Sequence, residues 1–161
     1  MVAFLNRWFY GKIQIEDACR LVLHVKDDPN RYMQTGFNFG FSSRLDRLRQ
    51  VVIVLHPEGP RISTPGGDRY LIPLLGDWLA MFRSRSSQCK FTFVGLEQRG
   101  QQVDMVEREL HAMCAKGQPS DYKLPSLSKF RERVTFTTLQ DWRAELRREG
   151  KVIEGVWAEP R

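Results

Sequence analysis

VVIVL, Val51 to Leu55, is an unbroken run of β-branched and aliphatic residues where a strand with one face in water would alternate with polar ones. It reads as a strand covered on both sides. Two further apolar β-type runs, Phe91 to Val94 and Val134 to Thr137, follow at intervals of about 40 residues, with helix-like segments between them. Strands alternating with helices imply a mainly parallel or mixed sheet with covering helices, an α/β fold. The regularity also admits a short open strand–helix repeat, although the interval is longer than that of leucine-rich repeats.

Working back from Val51, Arg20 to Val25 (RLVLHV) alternates and ends at the turn formers Asp27, Asp28, Pro29 and Asn30, so it is expected to be a strand. In GFNFGF, Phe37, Phe39 and Phe41 would line one face of an extended segment, a core stripe rather than a ligand platform. Ser42 or Ser43 can cap a short helix carrying Leu45 and Leu48. After Leu55, His56 to Asp68 (HPEGPRISTPGGD) holds three prolines and three glycines and reads as a loop across the end of the sheet. Ligand sites in α/β folds sit in loops at the carboxyl ends of strands.

Downstream, Leu71, Leu74, Leu75, Trp78, Leu79 and Phe82 have the three-and-four spacing of a buried helix face, with Asp68 as a candidate cap. Lys90 to Leu96 is the next expected strand, and Val103, Val106, Leu110, Met113 and Cys114 mark another amphipathic helix ended by Gly117 and Pro119. The polar stretch Gln118 to Lys129, with two prolines, reads as a surface loop. Thr138 and Asp141 have the spacing of N-cap and N3, opening a helix through Glu149 that Gly150 closes. Lys151 to Trp157 is a candidate last strand.

The chain has 161 residues, 42% hydrophobic and 27% charged, which suits one soluble domain spanning 1–161, with an aromatic N-terminal segment at 1–11 and a surface loop at 118–129. No stretch approaches the roughly 20 apolar residues of a membrane span, and Met1 to Tyr10 lacks a signal peptide's apolar core. Cys19, Cys89 and Cys114 are odd in number and far apart, without the paired spacings of zinc or redox sites. They read as reduced thiols of an intracellular, cytoplasmic or nuclear, protein. The net charge of +6 suits an anionic partner, yet arginines and acids intermix, as in Arg143, Glu145, Arg147, Arg148 and Glu149, which favours solvated helix faces.

The motifs that carry chemistry are sparse. Thr64, Pro65, Gly66, Gly67 and Asp68 precede a helix but lack the Lys and Ser or Thr of a P-loop, and Asp68 would repel phosphate. His56 at a strand end, with Glu58 and Asp68 nearby, has the elements of an acid–base pair without a nucleophile. His24 inside a strand and His111 on a charged helix have no metal-ligand spacing and read as structural or surface residues. Cys89 beside Lys90 lacks a base and reads as inert. Trp78, Trp142 and Trp157 suit packing, which leaves Trp8 among Phe4, Phe9 and Tyr10 as an aromatic cluster able to dock a partner. No catalytic, cofactor-binding or metal residue is assigned, and no cofactor is expected.

The segment LRQVVIVLHPEGPRISTPGGDRYLIPLLGDWLAMF, Leu48 to Phe82, together with KFTFVGLE from Lys90 to Glu97, resembles fungal F-box-like proteins, as do Phe9, Tyr10 and Gly11 and the stretch Phe37 to Phe41. The resemblance implies an adaptor, in which an N-terminal helical box binds a ubiquitin-ligase scaffold and strand–helix repeats bind a target. No leucine- and proline-marked box precedes Phe9, so only the repeat-like part is matched.

The functional expectation is a non-enzymatic protein-interaction module, adaptor-like, with a protein partner and no membrane. Its candidate contact residues are His56, Arg61, Asp68, Trp8, Phe9 and Tyr10. The first alternative is a nucleic-acid-binding accessory protein using Arg83, Arg85, Arg131 and Arg133. The second is a small α/β enzyme with its site at the His56–Asp68 loop.

Overall fold

The computed structural model describes residues 12–17, 20–25, 49–57, 71–85, 89–116 and 118–150. The Phe37 to Phe41 stripe, the helix expected after Ser42, most of the His56 to Asp68 loop and the strand expected at Lys151 to Trp157 lie outside these residues.

Five strands form one sheet in chain order: β1 (Lys12–Asp17), β2 (Arg20–Val25), β3 (Gln50–Leu55), β4 (Lys90–Val94) and β5 (Val134–Thr137). β2 to β5 run parallel, and β1 pairs antiparallel with β2. This is the α/β sheet that the apolar runs imply. β1 was not anticipated; KIQIED carries only two apolar residues, and a short register shift at Ile15/Asp17 leads it directly into β2.

Parity along the strands sorts the core into two layers. Leu21, Leu23, Val25, Val51, Ile53, Leu55, Phe91, Phe93 and Val134 project to one face. There they meet Leu71, Leu75 and Leu79 of α1 (Leu71–Arg85), Val106 and Leu110 of α2 (Val103–Met113) and Phe130 of α3 (Leu127–Arg131). The opposite face carries Val22, Val52, Val54 and Val94, covered by Leu139, Trp142 and Leu146 of α4 (Leu139–Arg148). Coverage on both sides explains why β2 and β3 are buried at every position after the first.

Element ends follow from local chemistry. β4 stops at Val94, two residues before the expected Leu96, because Gly95 takes φ +82° and opens a 3₁₀ turn, Leu96–Arg99. A Cβ at Gly95 would strike the carbonyl oxygen of Leu55, so the position also needs a residue without one. Thr138 caps α4 as anticipated: its Oγ1 accepts from the Asp141 amide at 3.0 Å and donates to Asp141 Oδ2 at 2.7 Å. Leu139 N–H of the same helix start donates to Glu97 Oε1 at 2.9 Å, which ties α4 to the turn after β4. Gly150 follows α4 with φ +65°.

The surface loop expected at Gln118 to Lys129 is interrupted by α3, which begins at Leu127. Ser126 caps it by accepting from Lys129 N–H at 3.3 Å, and Phe130 enters the core one turn later. Among the described residues, no helix is long and apolar enough to cross a membrane.

Candidate functional site

The register of β2 and β3 determines what meets at the carboxyl end of the sheet. His24 pairs with Val54 and shares its face, and His56 lies two residues further along the same row. His56 N–H donates to Val25 O at 2.9 Å, extending the ladder one step and holding the imidazole over the strand end. His24 Nδ1 and His56 Nε2 are then 2.9 Å apart, with the ring planes at 25° and centroids 5.2 Å apart. One nitrogen donates and the other accepts, which puts the two neutral rings in the same tautomer, both Nδ1–H or both Nε2–H. An arrangement of this kind can relay a proton or hold one added positive charge.

His24 is buried and His56 is half-buried, so the outer ring is the one that solvent reaches. The Trp142 ring meets His24 edge-on, with centroids 6.0 Å apart and planes at 63°. Trp142 Nε1–H is buried without a hydrogen-bond partner among the described residues.

A second concave feature lies on the other face. α1 and α2 meet at Gly76, where the end of the Met113 side chain occupies the space a Cβ would take. Beside this crossing, Gly76, Leu79, Ala80, Leu110, Met113, Cys114, Lys116, Gln118 and Tyr122 line an open groove of about 250 Å³. Cys114, half-buried, donates its thiol to Leu110 O at 3.4 Å. Further along α2, three contacts dock 125–131 onto the helix. Arg131 Nε and Nη2 donate to the two carboxylate oxygens of Glu107, each at 2.8 Å. His111 Nε2 lies 2.6 Å from Pro125 O, and its ring meets Phe130 edge-on. The hydrogen bonds from Arg131 hold the Glu107 carboxyl below its usual pKa, against the opposing effect of burial.

Of the residues singled out in the sequence, His56 stands at the carboxyl end of β3, paired with His24. Arg61, Asp68, Trp8, Phe9 and Tyr10 lie outside the described residues. Of the four arginines offered as a basic footprint, Arg131 is engaged by Glu107 and Arg133 is exposed at the start of β5; the side chains of Arg83 and Arg85 lie outside the described set. Burial pushes the Cys89 thiol up to about 11, with Arg49 acting weakly the other way, so the thiolate is suppressed at neutral pH. Among the described residues no group of three His, Cys, Asp or Glu side chains is placed to hold a metal ion.

The sequence reading missed the role of His24. Its signal was a polar residue inside RLVLHV on the same parity as Val22, which becomes meaningful only once β2 and β3 are known to be neighbours. The chain was compared with protein-family models, curated proteins and solved structures, and none matches.

Proposed function

We propose that this chain is a non-enzymatic protein-interaction module, adaptor-like in the sense that its resemblance to F-box-like proteins implies. The observation that supports this reading is the groove between α1 and α2, whose volume of about 250 Å³ suits one or two side chains of a partner. Its floor is apolar, from Leu79, Leu110 and Met113, and its rim carries Lys116, Gln118 and Tyr122. Apolar centres with polar rims are the usual anatomy of a specific contact. The exposed Met105 and Val103 extend apolar surface along α2.

The test is a pull-down from nuclease-treated extract at moderate salt, using the tagged full chain and an Ala80→Arg variant. Ala80 is an exposed groove residue, so arginine fills the groove and leaves the core intact. Proteins retained by the wild type and lost by the variant support the reading. Equal retention by both contradicts it.

A second reading, a small enzyme using acid–base chemistry at the strand ends, is favoured by one observation, the hydrogen-bonded His24–His56 pair. It requires turnover of an ester or nucleotide substrate that His56→Ala abolishes.

A further inference from the structure

Cations are concentrated at one end of the sheet, and the strand register puts them in a row. Arg20 pairs with Gln50 and Gln50 with Lys90, while the pairing of Phe91 with Val134 sets Arg133 beside Lys90. Phe91 N–H donates to Arg133 O at 2.7 Å, which fixes that last step. By parity all four side chains start on the face that carries α4.

The next row on this face is Val22, Val52, Thr92 and Thr135. α4 covers the valines, through Leu139, Trp142 and Leu146, but Thr135 is exposed and Thr92 half-exposed. Their hydroxyls meet at 3.1 Å, and Thr135 also donates to Phe91 O at 3.3 Å. The amino-terminal half of the β4–β5 surface is therefore open, polar and low in profile.

Two features mark this surface as cationic rather than neutralised. Lys90 and Arg133 are both exposed, and neither has an ion-pair partner among the described residues. The carboxylates that follow β4 and β5, Glu97 and Asp141, lie at the opposite end of the strands, where they serve the start of α4. Glu132, the exposed C-cap of α3, directly precedes Arg133 in the chain. At the β1 edge Asp17 stands opposite Arg20 in the register, so the stretch of the row with no acid facing it across the strands is Lys90 and Arg133.

We propose that the amino-terminal half of the β4–β5 face, built on Lys90 and Arg133 over Thr92 and Thr135, is a contact surface for the phosphate backbone of duplex nucleic acid. Adjacent strands place the two cations roughly 5 Å apart across a flat polar floor. No aromatic residue stands in either row, so stacking of unpaired bases, which single-strand binders use, has no platform here. What remains is backbone contact that positions a duplex without reading its sequence. The net charge of +6 adds attraction at a distance. This inference goes beyond the interaction-module reading and uses the sheet face opposite the α1–α2 groove, so either can fail alone.

The experiment is a fluorescence-anisotropy titration of a labelled random-sequence DNA duplex with the full chain, repeated from roughly 50 to 200 mM salt. The variants are K90Q/R133Q and, as a control for net charge, R108Q/K129Q on the other side of the molecule. Wild type is expected to bind with affinity that falls steeply with salt. K90Q/R133Q is expected to bind about tenfold more weakly at the lowest salt, with a log–log slope shallower by about 2, while the control keeps the wild-type slope. Each variant is checked by circular dichroism, and if the double variant misfolds, R133Q alone should reduce the slope by about 1. The proposal is overturned if wild type fails to bind at low salt, if both double variants lose affinity equally, or if a single strand of the same length binds more tightly than the duplex.

Discussion

His24 Nδ1 and His56 Nε2 lie 2.9 Å apart at the carboxyl ends of neighbouring parallel strands, joining two positions 32 residues apart in the chain. His24 is among the few buried polar side chains of the described core, so this hydrogen bond sits where its loss is felt. A double-mutant cycle of His24→Gln and His56→Ala, followed by urea denaturation, should give a coupling energy of about 0.5–1.5 kcal/mol. Strictly additive single-variant effects would mean that the two rings contribute independently.

The strand–helix alternation was legible in the sequence because β3 is a continuous apolar run, β4 and β5 alternate apolar residues with threonine, and α1, α2 and α4 each repeat apolar residues at helical spacing. The Thr138 cap was legible for the same reason: its chemistry is local, within four residues. The His24–His56 pair was not, because it depends on which strands are neighbours, a long-range fact that no local pattern contains. α3 was hidden by composition. Pro119 and Pro125 made the whole segment read as loop, although Ser126 followed by Leu127 and Phe130 is a cap and a one-turn apolar face. The cationic row was obscured in the same way as the imidazole pair: Arg20, Lys90 and Arg133 are scattered in sequence and adjoin only through register.

Two glycines with positive φ separate backbone strain from steric collision. Gly100 has φ +63° and open space around its Cα, whereas Gly95 has φ +82° and faces Leu55 O. Gly100→Ala should therefore cost about 1 kcal/mol, the left-handed penalty alone. Gly95→Ala should cost about 2–4 kcal/mol, because strain and collision add. Chemical denaturation of both variants checks the ranking, and equal costs would contradict the close approach of Gly95 to β3.

The Glu107–Arg131 bridge predicts a pH dependence with a definite sign. Hydrogen bonds from Arg131 lower the folded-state pKa of Glu107 below that of the unfolded chain. Its contribution to stability is then fully present above the unfolded value, near 4.3, and is lost as pH falls through the depressed folded value. Arg131→Gln should lower the urea midpoint at pH 7 and flatten its decline below about pH 5. An unchanged pH profile in this variant would show that the bridge does not couple to folding.

The claim that the α1–α2 groove receives a protein partner is tested most directly by site-specific photo-crosslinking in native extract. A photoreactive residue would replace Ala80 in the groove in one sample and Gln140, exposed on α4 across the sheet, in another. The interaction-module account predicts a discrete protein adduct from position 80, competed away by unlabelled wild-type chain, and none from position 140. Adducts of equal yield at both positions, or none at position 80, would contradict it.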